Sequence, residues 1–557
     1  MAKNNIPMTK FVSDTVNQVL VHPHQTEFGY SDGIENDLLQ TLQMAQDLST
    51  TSEELSQEIR SWPTEYHLSP ERANLLRHLG FTKSDIILEL GSGCGAITRY
   101  LGESGAKVTA VEGNLARARC TSERCRDLDN VRVYCSDFQL IDWGMQKYDY
   151  VLLIGVLEYA PMFFSSPDPM DACLKMALSL LKPNGKLVIA IENRLGLKYF
   201  LGASEDHEGK PYVGIEDLYH NNSVKTFGKH ELTELLENAG FKSVKFQYPF
   251  PDYKLPQLIL TEKALEQAAF KPEDIIRRLL PRDYHRKYNT TFSYELAWSA
   301  LAKNKLIADF ANSFLVIASP ANIKDDQRLL GLLYSQKRKK SLQVKTRFTQ
   351  NMKGITVEKS LMYPDHDQPK TNIQLRLGVA KYVSGDHVGH LLYKAYLQEE
   401  TATFIRLLTL WLRYLSRKGL QGSKQRLGNS VMKPSYYDCI PDNLILAGNT
   451  VVYIDNEWQY TQNYTFKIQV IRGLYQFQNH HALSKPFFTS TVTLPNYIVT
   501  TLSKFEVVID DTDFQNFLKT EAQFYDHVYG ESWKQKNISI LNIIKRLLFG
   551  KVKNEQN

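Results

Sequence analysis

Three glycines at alternate positions, Gly91, Gly93 and Gly95, end the apolar run Ile86-Ile-Leu-Glu-Leu90 and precede an amphipathic stretch that opens at Ile97. That order predicts a buried strand, a tight turn and the start of a helix. Glycine accepts the left-handed backbone such a turn needs, and it brings bare N–H groups and the helix N-terminus close to a ligand. A nucleotide-like cofactor suits it. Seventeen residues beyond Gly95, the next apolar run, Val108-Thr-Ala-Val-Glu112, ends in a carboxylate placed to accept both hydroxyls of a ribose. A glycine turn that only packs a helix on a strand is the structural alternative, but this turn does not stand alone.

Two cofactors compete for it. Gly91-x-Gly93-x-x-Ala96 satisfies the relaxed dinucleotide fingerprint of nicotinamide enzymes. Three features favour S-adenosylmethionine (SAM) instead. Glu89 and Gly95 complete an E-x-G-x-G-x-G pattern, in which the acid can orient the loop and the amino group of the cofactor. Ser136-Asp137-Phe138 ends the third apolar run, with a carboxylate for the adenine amine and an aromatic to pack beside the ring. The following run, Asp149–Tyr159, brings Glu158 and Tyr159 to its carboxyl end, where open α/β sheets bind ligands.

From roughly Trp62 to Pro320 these residues resemble the Rossmann-like class I SAM-dependent methyltransferases, and Leu181-Lys-Pro-Asn-Gly185 resembles the turn before the fifth strand in that family. The resemblance implies backbone contacts to SAM from Gly91, Gly93 and Gly95, a ribose contact from Glu112 and an adenine contact from Asp137.

Methyl transfer from a sulfonium needs an in-line approach and, for a hydroxyl acceptor, a base to take its proton. The Asn-Pro-Pro-Tyr type of motif that serves exocyclic base amines has no counterpart at Gly155-Val-Leu-Glu158-Tyr159, which weighs against nucleobase acceptors. Acceptor chemistry is expected in Glu192–Gly209, a segment dense in ionisable groups that follows the fifth strand. His207 is the natural base, with an ordinary pKa near ~6.5, and Asp206 or Glu205 can orient it. Glu158 is a further catalytic candidate. A solvated charged loop is the alternative there. His67, before the first strand, is a second candidate histidine, and a packing role is its alternative. The runs Glu192–Gly209 and Tyr248–Pro256, the latter a proline-aromatic turn, resemble bacterial methyltransferases associated with cell-surface polysaccharide. This implies the hydroxyl of a sugar or glycan precursor as acceptor.

The elements that must position these groups follow from periodicity. Short β-branched runs alternate with amphipathic stretches from residue 85 to 192, which predicts a doubly wound Rossmann-like α/β sheet with helical insertions. The apolar run Phe314–Ala318 is expected to close that sheet as a last strand. A chain of 557 residues exceeds one core, so more than one unit is expected. We divide it into a polar lead-in over 1–60, a methyltransferase domain over 61–321 with insertions at 193–224 and 257–311, a basic linker over 322–340, an α+β domain over 341–530, and a basic amphipathic tail over 531–557. The lysine and arginine cluster Lys337–Lys340 reads as a solvated linker.

In the second domain, Asp438-x-x-x-x-Asn443, an apolar strand and then Asp455-x-Glu457 resemble the catalytic loop of aminoglycoside-phosphotransferase-like kinases, with Lys359 as the phosphate-binding lysine. That resemblance implies ATP, and Mg²⁺ on Asn443 and Asp455, if the domain is active. A glycine-rich loop is missing, no room remains for a Glu-bearing helix after Lys359, and Tyr436 stands where a histidine is usual. A degenerate kinase-like binding or scaffolding module is therefore expected, with an unrelated fold, a bifunctional methyltransferase–kinase and a non-catalytic scaffold of a glycan-assembly complex as alternatives.

A net charge of +5 is too small for the concentrated basic face of a nucleic-acid binder. No apolar run reaches the ~18 residues that span a bilayer, and the N-terminus lacks a signal-peptide core, so a cytoplasmic location is expected. The tail Ile538–Lys553, apolar with clustered cations, suits either peripheral contact with the inner membrane face or a docked helix. Six cysteines without CxxC spacing read as reduced and structural.

Overall fold

The computed structural model describes residues 6–14, 18–24, 30–220, 223–285, 291–323, 326, 328–368, 371–422, 426–481 and 493–530, together with residues 541, 544, 545 and 548. The chain forms two compact units, one of residues 1–266, 279–291 and 300–331, the other of residues 267–278, 292–299 and 332–557. The sequence-based boundaries thus need correction, because two pieces of the 257–311 insertion belong to the second unit.

The first unit is built on strands β1 (Ile86–Leu90), β2 (Lys107–Glu112), β3 (Val131–Cys135), β4 (Tyr148–Ile154), β5 (Leu181–Glu192), β6 (Ser243–Phe250), β7 (Leu258–Thr261) and β8 (Ser313–Ser319), in the order β7-β6-β8-β5-β4-β1-β2-β3. Strands β1 to β5 run parallel, with Leu88 facing Thr109 on one side and Val151 on the other. Their side chains are buried on both faces, as the unbroken apolar runs require. Strand β8 is antiparallel and enters between β5 and β6. The run Phe314–Ala318 therefore completes the sheet from inside rather than at its edge.

Helices return the chain between these strands. They include α3 (Ala96–Glu103), α4 (Leu115–Arg124) and α5 (Pro169–Leu180), after α1 (Glu35–Met44) and α2 (Trp62–Leu68). Asn114 caps α4 by accepting from the Arg117 N–H, and Asp168 caps α5 ahead of Pro169 at its first position. The strand order reverses between β1 and β4, so their carboxyl ends open a crevice there. The polar lead-in is no appendage: Leu38 and Leu42 of α1 are buried in one cluster with Leu68, Cys94 and Cys120.

In the second unit, β9 (Val344–Asn351) and β10 (Gly354–Leu361) form a hairpin, and β11 (Gly378–Lys381) adds to β10 in antiparallel register. Helices α6 (Val388–Leu397), α7 (Thr401–Tyr414), α8 (Phe466–His481) and α9 (Asp511–Tyr529) carry the core around Trp411, Tyr437, Tyr475 and Phe517. The expected basic linker is corrected here. A strand covers Leu329–Ser335, and Arg338, only 15% exposed, pairs with Glu457 at 2.5 Å. The six cysteines are free and buried. Among the described residues no helix is long and apolar enough to cross a membrane. Most of the tail lies outside the described residues, as does its expected membrane contact.

Candidate functional site

The turn after β1 holds Gly91, Gly93 and Gly95 at φ values of +78°, +57° and +82°. A Cβ on Gly91 would stand 2.5 Å from Val156 Cγ2, and one on Gly95 would stand 2.8 Å from Thr121 Cα. Gly93 differs, because its Cβ position is open. The turn is tied down by the backbone N–H of Gly93, which donates to Glu112 Oε2 over 2.8 Å, while Asn114 N–H donates to Glu112 Oε1 over 3.0 Å. Thr121 Oγ1 donates to the Gly93 carbonyl at 2.7 Å. Glu89 is buried beneath the turn, accepts from the Thr98 hydroxyl at 2.6 Å, and is pushed up to about 8 by burial.

Glu89, Gly91, Gly93 and Glu112 line a cavity of about 580 Å³ that Gly95 does not reach, joined by Asp137 and Phe138 from the end of β3 and by Glu158, Tyr159, Asp206 and His207. Sequence reasoning thus selected residues that share one cavity. Asp137 accepts the Gln139 N–H at 2.9 Å, and Phe138 meets Phe163 edge-on at 6.3 Å. His67 also lines it, buried, with Nε2 2.9 Å from Asp32 Oδ2. Burial pulls the His67 imidazole down, but Cys94 and Asp32 outweigh it and hold the group above its ordinary value.

The segment after β5 is not a solvated loop, since Lys198 and Glu205 are buried. Asp206 lies between Lys198 Nζ at 2.6 Å and Lys254 Nζ at 2.7 Å, and it accepts from Tyr199 OH at 2.5 Å. Burial alone would raise its pKa; the two lysines overcome that and hold it far below the usual range. Asp206 therefore does not orient His207, which corrects the expected pairing. Glu205 does not orient the ring through its side chain either, because its Oε2 takes the backbone N–H groups of His207 and Glu208 at 2.7 Å each.

The ring of His207 instead meets Tyr159 OH through Nδ1 at 3.1 Å and faces Glu192 Oε2 through Nε2 at 3.5 Å. Burial opposes its charge, yet Glu192, Glu205 and Glu158 push its pKa to about 9. Glu158 is pushed up to about 8, by burial first and then by the charge of Glu192. Glu192 goes the other way, because Lys254 and His207 outweigh its burial.

Sequence reasoning missed Asp32 and Arg117 as site residues, and it named the segments that carry Glu192, Lys198 and Lys254 without singling out these three. Arg117 Nη2 reaches Asp32 Oδ2 at 2.6 Å, closing a segment read as lead-in over the cavity. The only local signal was the turn-like Tyr30-Ser-Asp-Gly33.

In the second unit, the Lys359 ammonium pairs with the carboxylates of both Asp455 and Glu457. Asn443 Nδ2 donates to the Asp438 carbonyl at 2.9 Å and to its carboxylate at 3.0 Å, and Arg472 Nη2 lies 3.1 Å from Asp438 Oδ1. Burial pushes Asp438 up to about 7.

Residues 64–245 match a family model described as a methyltransferase domain. A demethylmenaquinone methyltransferase of Tropheryma whipplei is 27% identical over 188 residues, which is 30% of this chain and 71% of that one. A ubiquinone biosynthesis O-methyltransferase of Coxiella burnetii is 25% identical over 182 residues, 31% of this chain and 71% of that one. Among solved structures, a SAM-dependent methyltransferase from Archaeoglobus fulgidus is 18% identical over 46% of this chain and 96% of that one, with a TM-score of 0.28, too slight to carry weight.

Proposed function

We propose that this SAM-dependent methyltransferase acts on a hydroxyl group held beside the cofactor. SAM occupies the glycine turn, with its ribose on Glu112, its adenine between Asp137 and Phe138, and its amino group toward Glu89. The acceptor lies over Glu158, Glu192 and His207. As the new C–O bond forms, the C–S bond of the sulfonium breaks, S-adenosylhomocysteine leaves, and the hydroxyl proton is released beside this cluster.

One observation carries the reading. In the same cavity as the glycine turn, buried atoms of Glu158 and His207 have no hydrogen-bond partner, and neither has Oε2 of Glu192 beside them. Buried polar atoms without partners are costly, and a bound hydroxyl would satisfy them.

For the acceptor class we favour the hydroxyl of a sugar or glycan precursor, on the resemblance of Glu192–Gly209 and Tyr248–Pro256. A phenolic hydroxyl is the second reading, suggested by the aromatic lining of Trp62, Tyr66, Tyr159 and Tyr253 and by the O-methylating relative. Methyl-labelled SAM offered with panels of glycan precursors and of phenols tests both. Label on oxygen of a sugar is expected, label on a phenol selects the second reading, and label only on carbon or nitrogen overturns the hydroxyl reading.

For the second unit we favour a degenerate kinase-like module. Its Lys359 is already engaged by Asp455 and Glu457, the first of which would have to hold Mg²⁺ in an active kinase. ATP turnover that disappears in Asp455→Ala would overturn this and establish a bifunctional enzyme.

A further inference from the structure

We infer that Glu158, Glu192 and His207 form a binding site for one divalent transition-metal cation. The inference rests on the reading of the cavity as a hydroxyl-acceptor site beside SAM, and it assigns that site a metal. The three side chains come from separate elements: the turn after β4, the last residue of β5 and the loop beyond it. Even so, one ligand atom from each lies within 4.8 Å of the other two. Atoms bound to a common ion at about 2.0–2.2 Å stand no more than about 4.4 Å apart, so a shift of a few tenths of an ångström brings all three into reach.

The ligand atoms make no hydrogen bond within the described protein. Glu158 is fully buried and neither of its carboxylate oxygens has a hydrogen-bond partner. Glu192 gives Oε1 to Lys254, and its Oε2 makes no hydrogen bond but faces His207 Nε2 at 3.5 Å. His207 meets Tyr159 OH through Nδ1, an outer contact of the kind that fixes a ligating imidazole, and a cation would enter between its Nε2 and Glu192 Oε2.

Lys198 and Lys254 are matched by Asp206 and Glu192, and among the described residues no cationic side chain forms an ion pair with Glu158. A set of two carboxylates and one imidazole suits Mn²⁺, Fe²⁺, Co²⁺ or Zn²⁺ better than Mg²⁺ or Ca²⁺, which prefer oxygen alone. Three protein ligands leave coordination positions open for the acceptor hydroxyl. A cation there would polarise the O–H bond, so that its proton leaves to water as the oxygen takes the methyl group from sulfur.

The test titrates Mn²⁺ alone into the full chain and follows the loss of the free-ion electron paramagnetic resonance signal, with SAM binding measured by calorimetry on the same samples. One Mn²⁺ per chain is expected, weakened at least tenfold in Glu158→Gln and in His207→Gln, while both variants still bind SAM. If the wild type binds SAM but neither Mn²⁺ nor competing Zn²⁺, the metal site is refuted and the methyltransferase reading stands. If the variants bind Mn²⁺ as the wild type does, the ion sits elsewhere and the inference fails. Loss of SAM binding in the wild type refutes the reading beneath it instead. Should one variant fail to fold, Glu192→Gln replaces it under the same criterion.

Discussion

Gly93 and Glu112 are joined by a 2.8 Å hydrogen bond from the backbone N–H of the first to the carboxylate of the second, so the turn after β1 is anchored to the end of β2. The other carboxylate oxygen takes the Asn114 N–H, which fixes its rotamer. Glu112→Ala removes both anchors together with the proposed ribose contact. Hydrogen bonds to charged groups are worth about 1.5–3 kcal/mol each, so affinity for S-adenosylhomocysteine should fall on the order of 30-fold or more by calorimetry. A change below threefold would show that Glu112 does not hold the cofactor.

The two outer glycines and the central one should fail in different ways. Gly95→Ala combines a left-handed φ with a Cβ 2.8 Å from the Thr121 backbone, so it should cost about 2–4 kcal/mol of stability and lower the melting temperature clearly. Gly93→Ala meets no protein atom and carries only the conformational cost of about 1–2 kcal/mol. Its methyl group projects from a cavity-lining residue, and SAM affinity should drop more than its stability does. Equal losses of stability in the two variants would refute this account.

Glu89 makes SAM binding depend on pH. Burial pushes it up to about 8, so it is protonated in the free protein at neutral pH. An ammonium group seated beside it favours the carboxylate, and the complex then holds one proton fewer than the free protein. Affinity should therefore rise with pH from about 6 to 8 and level off above. In Glu89→Gln that rise should shrink by the equivalent of one proton. The stability of the free protein has the opposite sign: between 4.5 and about 8 the folded chain keeps a proton that the unfolded chain loses, so the contribution of Glu89 is fully present below 4.5 and gone above about 8. Chemical denaturation across this range, in wild type and Glu89→Gln, checks it.

The cofactor turn was legible because its grammar is local. Glycines, strand ends and the acid closing β2 lie within thirty residues, and each has one physical use there. The acid–base cluster was only half legible. Asp206 and His207 are neighbours in sequence, but the partners that decide their roles, Lys254 and Glu192, are 48 and 15 residues away and arrive through the proline-aromatic turn and the end of β5. Periodicity also missed the insertion of β8 between β5 and β6, since an apolar run reveals a strand and not its neighbours. The charge run at Lys337–Lys340 misled for the same reason. Arg338 finds the buried Glu457 in the folded chain, and no local pattern announces an ion pair across more than a hundred residues.

The second unit offers a test of buried charge. Arg472 and Glu521, both buried, pair in the core, and Tyr437 OH at 3.1 Å and Gln476 Nε2 at 2.9 Å complete the carboxylate. Arg472 also donates to the Tyr437 carbonyl at 3.0 Å, which links the pair to the segment that carries Asp438. Glu521→Ala would leave the buried guanidinium with Asp438 alone as counter-charge and should cost about 3 kcal/mol. Glu521→Gln keeps the shape and one acceptor, so its loss should be smaller. Among the described residues none that lines the cofactor cavity comes from this unit, and SAM affinity well below the melting temperature should be the same in both variants as in wild type. Denaturant titration followed by the fluorescence of Trp411 and Trp458 reads the first effect, and calorimetry reads the second. A Glu521→Ala variant as stable as wild type would mean that the pair contributes nothing net to the fold.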